Sequence, residues 1–412
     1  MAPRWRSKRF GGSWKNRCDG VYRRRFGSMG GLPTLLPDGR GSVAAQLIIG
    51  NAEVIEPFRI NVADGALDDL GTRLRQTRWP EQVPGVGWTQ GTELKWLQRL
   101  VSYWMHQFDW RAWERRLNEL SHFTWEGIHF VHQRAASGNG VPLILTHGWP
   151  GSFLDYMEML PMLEHFDVVV PSLPGYGFSA RPPIAGVNYR YVSERWHGLM
   201  CALGYGRYGA SGYDFGSGVT TILALDHPES VMGIQITTLE SDLAPAVDEL
   251  ELTDAERSYL AVSRDWDKTE RGYSAIQSTK PQTVGYGLND SPAGLAAYLG
   301  EKWYSWSDST PSDDFLCATL TLYWVTQTIT SSMRDYWDNR WHPVDATYVG
   351  TPTAFGVFSH ETVPEGEPPR AYLERLYNIQ RWTVFPRGGH FAPVEETAAV
   401  AGELKAFFRD LR

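Results

Sequence analysis

The chain has 412 residues, 42% hydrophobic and 21% charged, enough apolar material for one large core or two modest ones, which excludes a disordered chain or a disulfide-stapled mini-protein. Aromatic residues make up 13%, with 18 Trp, so many rings must pack in cores or line a greasy small-molecule pocket. The formal charge is −8, but residues 1–28 hold nine Lys or Arg against one acid, leaving −16 for the rest and no nucleic-acid surface there.

In chain order, the basic start from Arg4 through Arg23-Arg24-Arg25-Phe26 has the charge of a transit peptide or a twin-arginine signal, but Pro33 and Pro37 interrupt the segment after it. A basic disordered tail over residues 1–52, or an over-long start with Met29 as an alternative initiator, is the plainer reading. Cys18, Cys201 and Cys317 are an odd count at long separations without any C-x-x-C. They point to neither a disulfide framework nor a thiolate metal site, and to a reducing cytoplasm. The best apolar runs, Val43–Ile49 and Val141–Leu145, fall far short of the ~18–20 residues of a membrane helix.

Folding signals begin near Ala52, where Pro57-Phe58-Arg59-Ile60-Asn61-Val62 precedes a helical pattern with Leu67, Leu70 and Leu74 on one face. After a loop marked by Trp79-Pro80 and Pro84-Gly85, a second amphipathic stretch runs from Glu93. Leu97, Leu100, Val101 and Trp104 lie three or four apart, and Asp109-Trp110-Arg111 falls near its end. His129 and His132 are the close histidine pair, but they fall on opposite faces of an extended segment and read as strand positions, not a metal site.

From Ile128 onward short β-rich runs alternate with turns and helical segments: Val141–Thr146, Phe166–Val170, Tyr208–Ser211, Met232–Thr238, Thr353–Phe358 and Arg381–Phe385. This alternation predicts a doubly wound, mostly parallel sheet. The interval between Ser241 and His342 breaks it and is placed as an insertion over the carboxyl ends of the strands, where open α/β sheets bind ligands.

Gly212-Tyr213-Asp214-Phe215-Gly216 follows the Tyr208–Ser211 run and precedes the helical run Val219–Leu225, the strand–turn–helix position of a nucleophile elbow. A serine hydrolase would need G-x-S-x-G there, and the nearest attempt, Gly209-Ala210-Ser211-Gly212-Tyr213, lacks the final glycine. A carboxylate that attacks an electrophilic sp³ carbon makes an ester that water can cleave, whereas a serine would leave an inert ether. Taken alone, G-x-D-x-G is a weak signal, and Asp214 reads more simply as a cap on the following helix.

Pro386-Arg387-Gly388-Gly389-His390-Phe391 follows the last predicted strand, and His390 there is a candidate base. Glu361 is the best placed acid behind it by chain order; Glu365 and Glu367 are substitutes by position and read as solvated charges. His147-Gly148-Trp149-Pro150-Gly151 follows the Val141–Thr146 run and can aim the Trp149 backbone N–H at an oxyanion, with that of Phe215 as the second donor.

In these motifs the sequence resembles the microsomal-type epoxide hydrolases, from about Pro57 to Phe408. The ordered matches include Thr77-Arg78-Trp79-Pro80, Phe108-Asp109-Trp110-Arg111, His147-Gly148-Trp149-Pro150-Gly151-Ser152, Pro171-Ser172-Leu173-Pro174-Gly175-Tyr176-Gly177, Leu288-Asn289-Asp290-Ser291-Pro292 and Arg387-Gly388-Gly389-His390-Phe391. The resemblance implies the α/β-hydrolase fold with a mainly helical lid and an N-terminal helical or meander region. The implied bounds are a tail over 1–52, an N-terminal region over 53–135, a core over 136–242 and 345–412, and a lid over 243–344.

It further implies Asp214 as nucleophile, His390 as base, Glu361 as relay acid, and Tyr273 and Tyr336 as lid phenols that bind the epoxide oxygen. A phenol stays protonated at neutral pH and can donate to an oxygen becoming an alkoxide. The implied reaction gives a vicinal diol through an aspartyl ester. No cofactor and no metal is expected; the partner is a small apolar epoxide, without nucleic acid or membrane span, and a homodimer is left open. Tyr213 and Phe215 stand where small residues and Trp are familiar, so the pocket is expected to differ in shape there. The Pro-rich stretch Pro364–Pro369 also departs from the pattern, and the N-terminus resembles soluble bacterial members in lacking an apolar anchor. The competing readings are a haloalkane dehalogenase, which wants indole donors around a halide that the Phe215 side chain does not supply, and a silent fold that only binds a ligand.

Overall fold

The computed structural model describes residues 54–244, 247–409 and 411. The targeting and initiator readings of the basic start, with Cys18 and Val43–Ile49, lie outside the described residues.

A short strand β1 (Glu56–Phe58) leads to helix α1 (Asp64–Arg75), which buries Leu70 and Leu74. Helix α2 (Leu94–His106) buries the four residues that the spacing selects, Leu97, Leu100, Val101 and Trp104. Asp109-Trp110-Arg111 does not end that helix. Asp109 is extended, and its carboxylate accepts from Ala112 N at 3.1 Å, so it caps a separate helix α3 (Trp110–Leu117). Strands β2 (His122–Trp125) and β3 (Ile128–Gln133) form a hairpin closed by Glu126 and Gly127, both at positive φ (44° and 80°). Those signs are the ones that match the twist of paired strands.

The core strands are β4 (Val141–Thr146), β5 (Phe166–Pro171), β6 (Tyr208–Gly212) and β7 (Val231–Ile236), with helices α4 (Tyr189–Ala202) and α5 (Phe215–Asp226) between them. Among the described residues six α-helices then separate β7 from β8: α6 (Asp254–Glu270), α7 (Gly272–Gln277), α8 (Pro281–Asp290), α9 (Pro292–Ser305), α10 (Asp313–Thr326) and α11 (Ile329–Trp341). The chain returns through β8 (Val349–Phe358), α12 (Arg370–Leu373), β9 (Tyr377–Phe385), α13 (Ala392–Glu395) and α14 (Thr397–Arg409).

The nine strands form one sheet in the order β1-β2-β3-β5-β4-β6-β7-β8-β9. Its six strands from β5 to β9 are parallel, and β1, β2 and β3 add an antiparallel edge. This is the α/β-hydrolase fold, with the mostly parallel sheet that the alternation predicts. Leu143, Ile144, Leu145, Val168, Val169 and Val170 are fully buried, each contributing about 1.5–3 kcal/mol relative to exposure. Register pairs Thr146 with Gly212 and Gly212 with Ile236, so the loops after β4, β6 and β7 leave the sheet side by side. No helix among the described residues is long and apolar enough to cross a membrane.

The strand alternation places His129 in the core and leaves His132 half-buried. His129 Nε2 meets His122 Nδ1 at 2.9 Å and its Nδ1 meets Ser172 Oγ at 2.9 Å.

Candidate active site

The elbow is forced by crowding. Gly212 and Gly216 are in such close approach that a Cβ on the first would collide with the Gly216 carbonyl, and a Cβ on the second with the Thr146 carbonyl. Between them Asp214 adopts φ 51° and ψ −135°, a conformation that costs a non-glycine residue of order 1–3 kcal/mol. Hydrogen bonds hold it there: Asp214 N donates to Thr238 Oγ1 at 2.8 Å, and Ser217 Oγ donates to the Gly212 carbonyl at 2.9 Å.

The strained turn lifts the carboxylate off the sheet. Asp214 Oδ1 accepts from Trp149 N at 2.8 Å and from Phe215 N at 2.7 Å, while Oδ2 lies 3.1 Å from His390 Nε2. Asp214 therefore does cap α5, and the same carboxylate also faces the histidine. His390 Nδ1 is 3.3 Å from Glu361 Oε2, and Glu361 Oε1 accepts from Val363 N at 2.8 Å. The His390 side chain is 2% exposed and that of Glu361 4%, whereas Asp214 at 14% opens onto a cavity. Burial opposes charge on His390, but Glu361 and Asp214 overcome it and hold the imidazole pKa well above its usual range.

The loop after β4 is fixed from behind by His147, whose Nε2 accepts from Leu173 N at 3.2 Å and whose Nδ1 lies 3.0 Å from the Gly148 carbonyl. Burial pushes its pKa down to about 4, so it is neutral there, with the proton on Nδ1. Tyr213 does not reshape the cavity. It turns behind the elbow, fully buried, and its hydroxyl donates to Asp155 Oδ2 at 2.6 Å. Burial pushes that carboxyl up to about 7. Phe215 does line the cavity and meets Tyr336 edge-on at 4.7 Å.

The cavity holds about 260 Å³ and brings Asp214, Phe215 and His390 together with Tyr273 on α7, Tyr336 on α11 and Trp306. The rings of Tyr273 and Tyr336 meet edge-on at 5.7 Å, and each stands against Trp149. Burial raises both phenol pKa values well above the usual tyrosine range, with Asp214 adding to the rise, so both are donors at neutral pH. All seven candidate residues thus belong to one site.

Glu365 is not a solvated charge. The Leu239 N–H donates to its carbonyl at 2.8 Å, drawing the loop inward, and its carboxylate pairs with Arg271 in the cavity wall. Glu367 is exposed. Three further groups escape a reading by motif. Glu240, after β7, lines the cavity and accepts from Tyr189 Oη at 2.9 Å; burial holds its carboxyl well above the usual range. Nothing short-range marks it. Glu395 accepts from Asp308, Ser309 and Gly389 N at 2.7, 3.0 and 3.3 Å through Oε2, and from Phe391 N at 3.1 Å through Oε1, bracketing the His390 loop. Lys302 is buried behind Tyr273, and a signal exists for it: it stands three residues after Leu299 and seven after Leu295, on an apolar helical stripe.

Residues 55–156 match the family model described as epoxide hydrolase N terminus, and residues 141–259 that of the alpha/beta hydrolase fold. A Stigmatella aurantiaca protein provisionally named an epoxide hydrolase is 38% identical over 87% of this chain and 86% of its own. Epoxide hydrolase 1 of Sus scrofa is 33% identical over 90% and 92%. The solved structure of Aspergillus niger epoxide hydrolase superposes with a TM-score of 0.78 at 29% identity, covering 87% of this chain and 97% of that one.

Proposed function

The chain belongs to the epoxide hydrolases, enzymes that open an epoxide with water to a vicinal diol, and from that premise we propose that Asp214, His390 and Glu361 carry the reaction with Tyr273 and Tyr336. The observation that supports this most is the divided carboxylate of Asp214, one oxygen held by two backbone N–H groups and the other facing His390. Asp214 Oδ2 attacks a ring carbon from behind, the C–O bond breaks, and the leaving oxygen takes its hydrogen bonds from the two phenols. Oδ1 stays in its backbone cradle as the ester carbonyl, where a tetrahedral oxyanion will form.

The charges balance without an added group. At rest a carboxylate faces an imidazolium. Esterification removes the Asp214 charge, and with it part of what holds the His390 proton, so the proton passes to the alkoxide through the phenols. Neutral His390, oriented by Glu361, then takes a proton from water as that water attacks the ester carbonyl. Collapse expels the diol with that proton and leaves Asp214 as a carboxylic acid, whose proton, the second of the attacking water, passes to His390 and restores the resting carboxylate and imidazolium.

For the domains, we take 53–135 as the N-terminal region, 243–344 as the lid, and 136–242 with 345–412 as the core. For the substrate we take a small epoxide whose apolar part lies against Phe215, Trp306 and Tyr336; the rest of the wall is mostly polar, with Glu240, Asp242 and Arg340 beside the mutually engaged Arg271 and Glu365. We place the enzyme in the cytoplasm, a reading favoured by the free thiols of Cys201 and Cys317. The deciding experiment is a single turnover in H₂¹⁸O: label is expected in the Asp214 carboxylate, and label found only in the diol would exclude the ester route.

A further inference from the structure

Helix α9 carries a lysine that the proposed reaction leaves unused. Lys302 is 5% exposed, and an ammonium is withdrawn from water only at considerable cost unless something compensates. It pairs with Glu301, whose other oxygen accepts from Ser305 Oγ at 2.9 Å. It also stands over two aromatic faces, with Nζ 4.4 Å from the ring centroid of Tyr273 and 5.3 Å from that of Trp306. A pair with Glu301 is available to a lysine on the surface, so it does not account for an ammonium carried inward onto the Tyr273 ring.

We propose that Lys302 is a positioning residue for ring opening: its ammonium, held against the π face of Tyr273, stabilises the negative charge that reaches the phenol as it donates to the departing epoxide oxygen. This rests on the reading of Tyr273 as a donor to that oxygen. As the ring C–O bond breaks and the Asp214 O–C bond forms, one negative charge moves from the carboxylate to the oxygen between the phenols. The charged groups that act on the Tyr273 phenol from the cavity wall are Asp214 and Glu365, which disfavour charge on it, and Arg271, two residues before it in the chain, which favours it. Arg271 is already engaged by Asp267 and Glu365. Lys302 supplies a cation on the ring itself. The attraction between an ammonium and a π face grows as the ring gains electron density, so the contact is stronger in the transition state than before it. That difference is the condition for acceleration as opposed to binding alone.

The test is a double-mutant cycle on the rate of ester formation, measured by rapid quench in single turnovers with a styrene-type epoxide. It compares wild type, K302M, Y273F and the double variant. We expect K302M to slow ester formation about tenfold when Tyr273 is present and to add nothing once the phenol oxygen is gone, because the Phe ring keeps the packing. K302R should retain most of the wild-type rate, and ester hydrolysis should be unchanged by either substitution. Equal slowing by K302M in both backgrounds, or a wild-type rate for K302M, overturns the proposal. If K302M does not fold, K302Q takes its place in the same cycle and the same results decide. A wild-type alkylation rate for Y273F alone would instead remove Tyr273 from the donor role, an outcome distinct from a failure of Lys302.

Discussion

The loops at the carboxyl end of the sheet and the helices between β7 and β8 reach the same cavity, but they hold their working groups by different means. On the sheet side each group is pinned by directional hydrogen bonds: two backbone N–H groups on Asp214, Val363 N on Glu361, and the Glu395 carboxylate around the His390 loop. On the helix side Tyr273 and Tyr336 are set by ring contacts with Trp149, Phe215, Trp306 and each other. Hydrogen bonds fix an atom to within a few tenths of an ångström, while aromatic packing fixes a surface and tolerates small slides. A nucleophile and its oxyanion cradle need the first kind of control. Donors that must follow an oxygen as it leaves can use the second.

If that division holds, damage on the sheet side is the more severe. Asp214→Ala should lower turnover by about 10⁴-fold or more, since without the carboxylate no ester forms. Mass spectrometry should then find no covalent adduct with a reactive epoxide; an adduct at the wild-type level would move the nucleophile elsewhere. His390→Gln separates the two steps on the same side. Ring opening should persist, with the opened oxygen taking its proton from solvent in place of His390, and ester hydrolysis should fall by about 10²–10⁴-fold, so protein plus one substrate accumulates. A variant that turns over normally without accumulating ester would remove His390 from the base role.

The helix side should fail by degrees. Tyr273→Phe and Tyr336→Phe each remove one hydrogen bond while the other phenol still holds the oxygen, and each is expected to slow ester formation about 10- to 100-fold. The double variant should be folded and close to inactive. Ester formation by the double variant at the wild-type rate would reduce these rings to packing and bring the dehalogenase-like reading back.

The same division explains what could be read from the sequence. Val141–Thr146 is recovered to the residue because an apolar run between turns is the mark of a buried strand, and the elbow is visible because glycines are obligatory on either side of Asp214. Strands β1 and β2 carry no such mark. They are three and four residues long at a sheet edge, and their hairpin turns through Glu126-Gly127 instead of the Asn-Gly or Asp-Gly that usually signals positive φ. The split between α2 and α3 depends on a single cap at Asp109, which a helical periodicity runs straight through. Ring packing leaves even less trace: among 19 tyrosines nothing local singles out Tyr273 and Tyr336, and only the family resemblance does. Glu365 reads as solvated for a related reason, since its partner Arg271 lies 94 residues away in another part of the chain.

The smallest effect at neutral pH, and the one that most sharpens the comparison, concerns His147. Its imidazole supports the loop that presents the Trp149 N–H, and burial holds its pKa near 4 against an ordinary value of 6.5. The unfolded chain therefore takes up a proton as pH falls below 6.5, while the native protein does not until about 4. The stability tied to neutral His147 is complete above 6.5, is lost progressively between those two values, and amounts to about 3 kcal/mol. Buried His122 and His129 are depressed in the same direction, and the raised carboxyls of Asp155 and Asp335 act in the opposite one, so the whole-protein slope mixes several groups. Comparison with His147→Gln isolates one of them, because the amide can both accept from Leu173 N and donate to the Gly148 carbonyl, yet does not titrate. Turnover of this variant at pH 7.5 should be close to wild type. Denaturant unfolding at pH 7.5 and at pH 4.5 should show the variant gaining on wild type by about 2–3 kcal/mol as the medium is acidified. A difference between the two proteins that does not change with pH would mean that the loop is not held by a neutral histidine, and that acid sensitivity on the sheet side has another source.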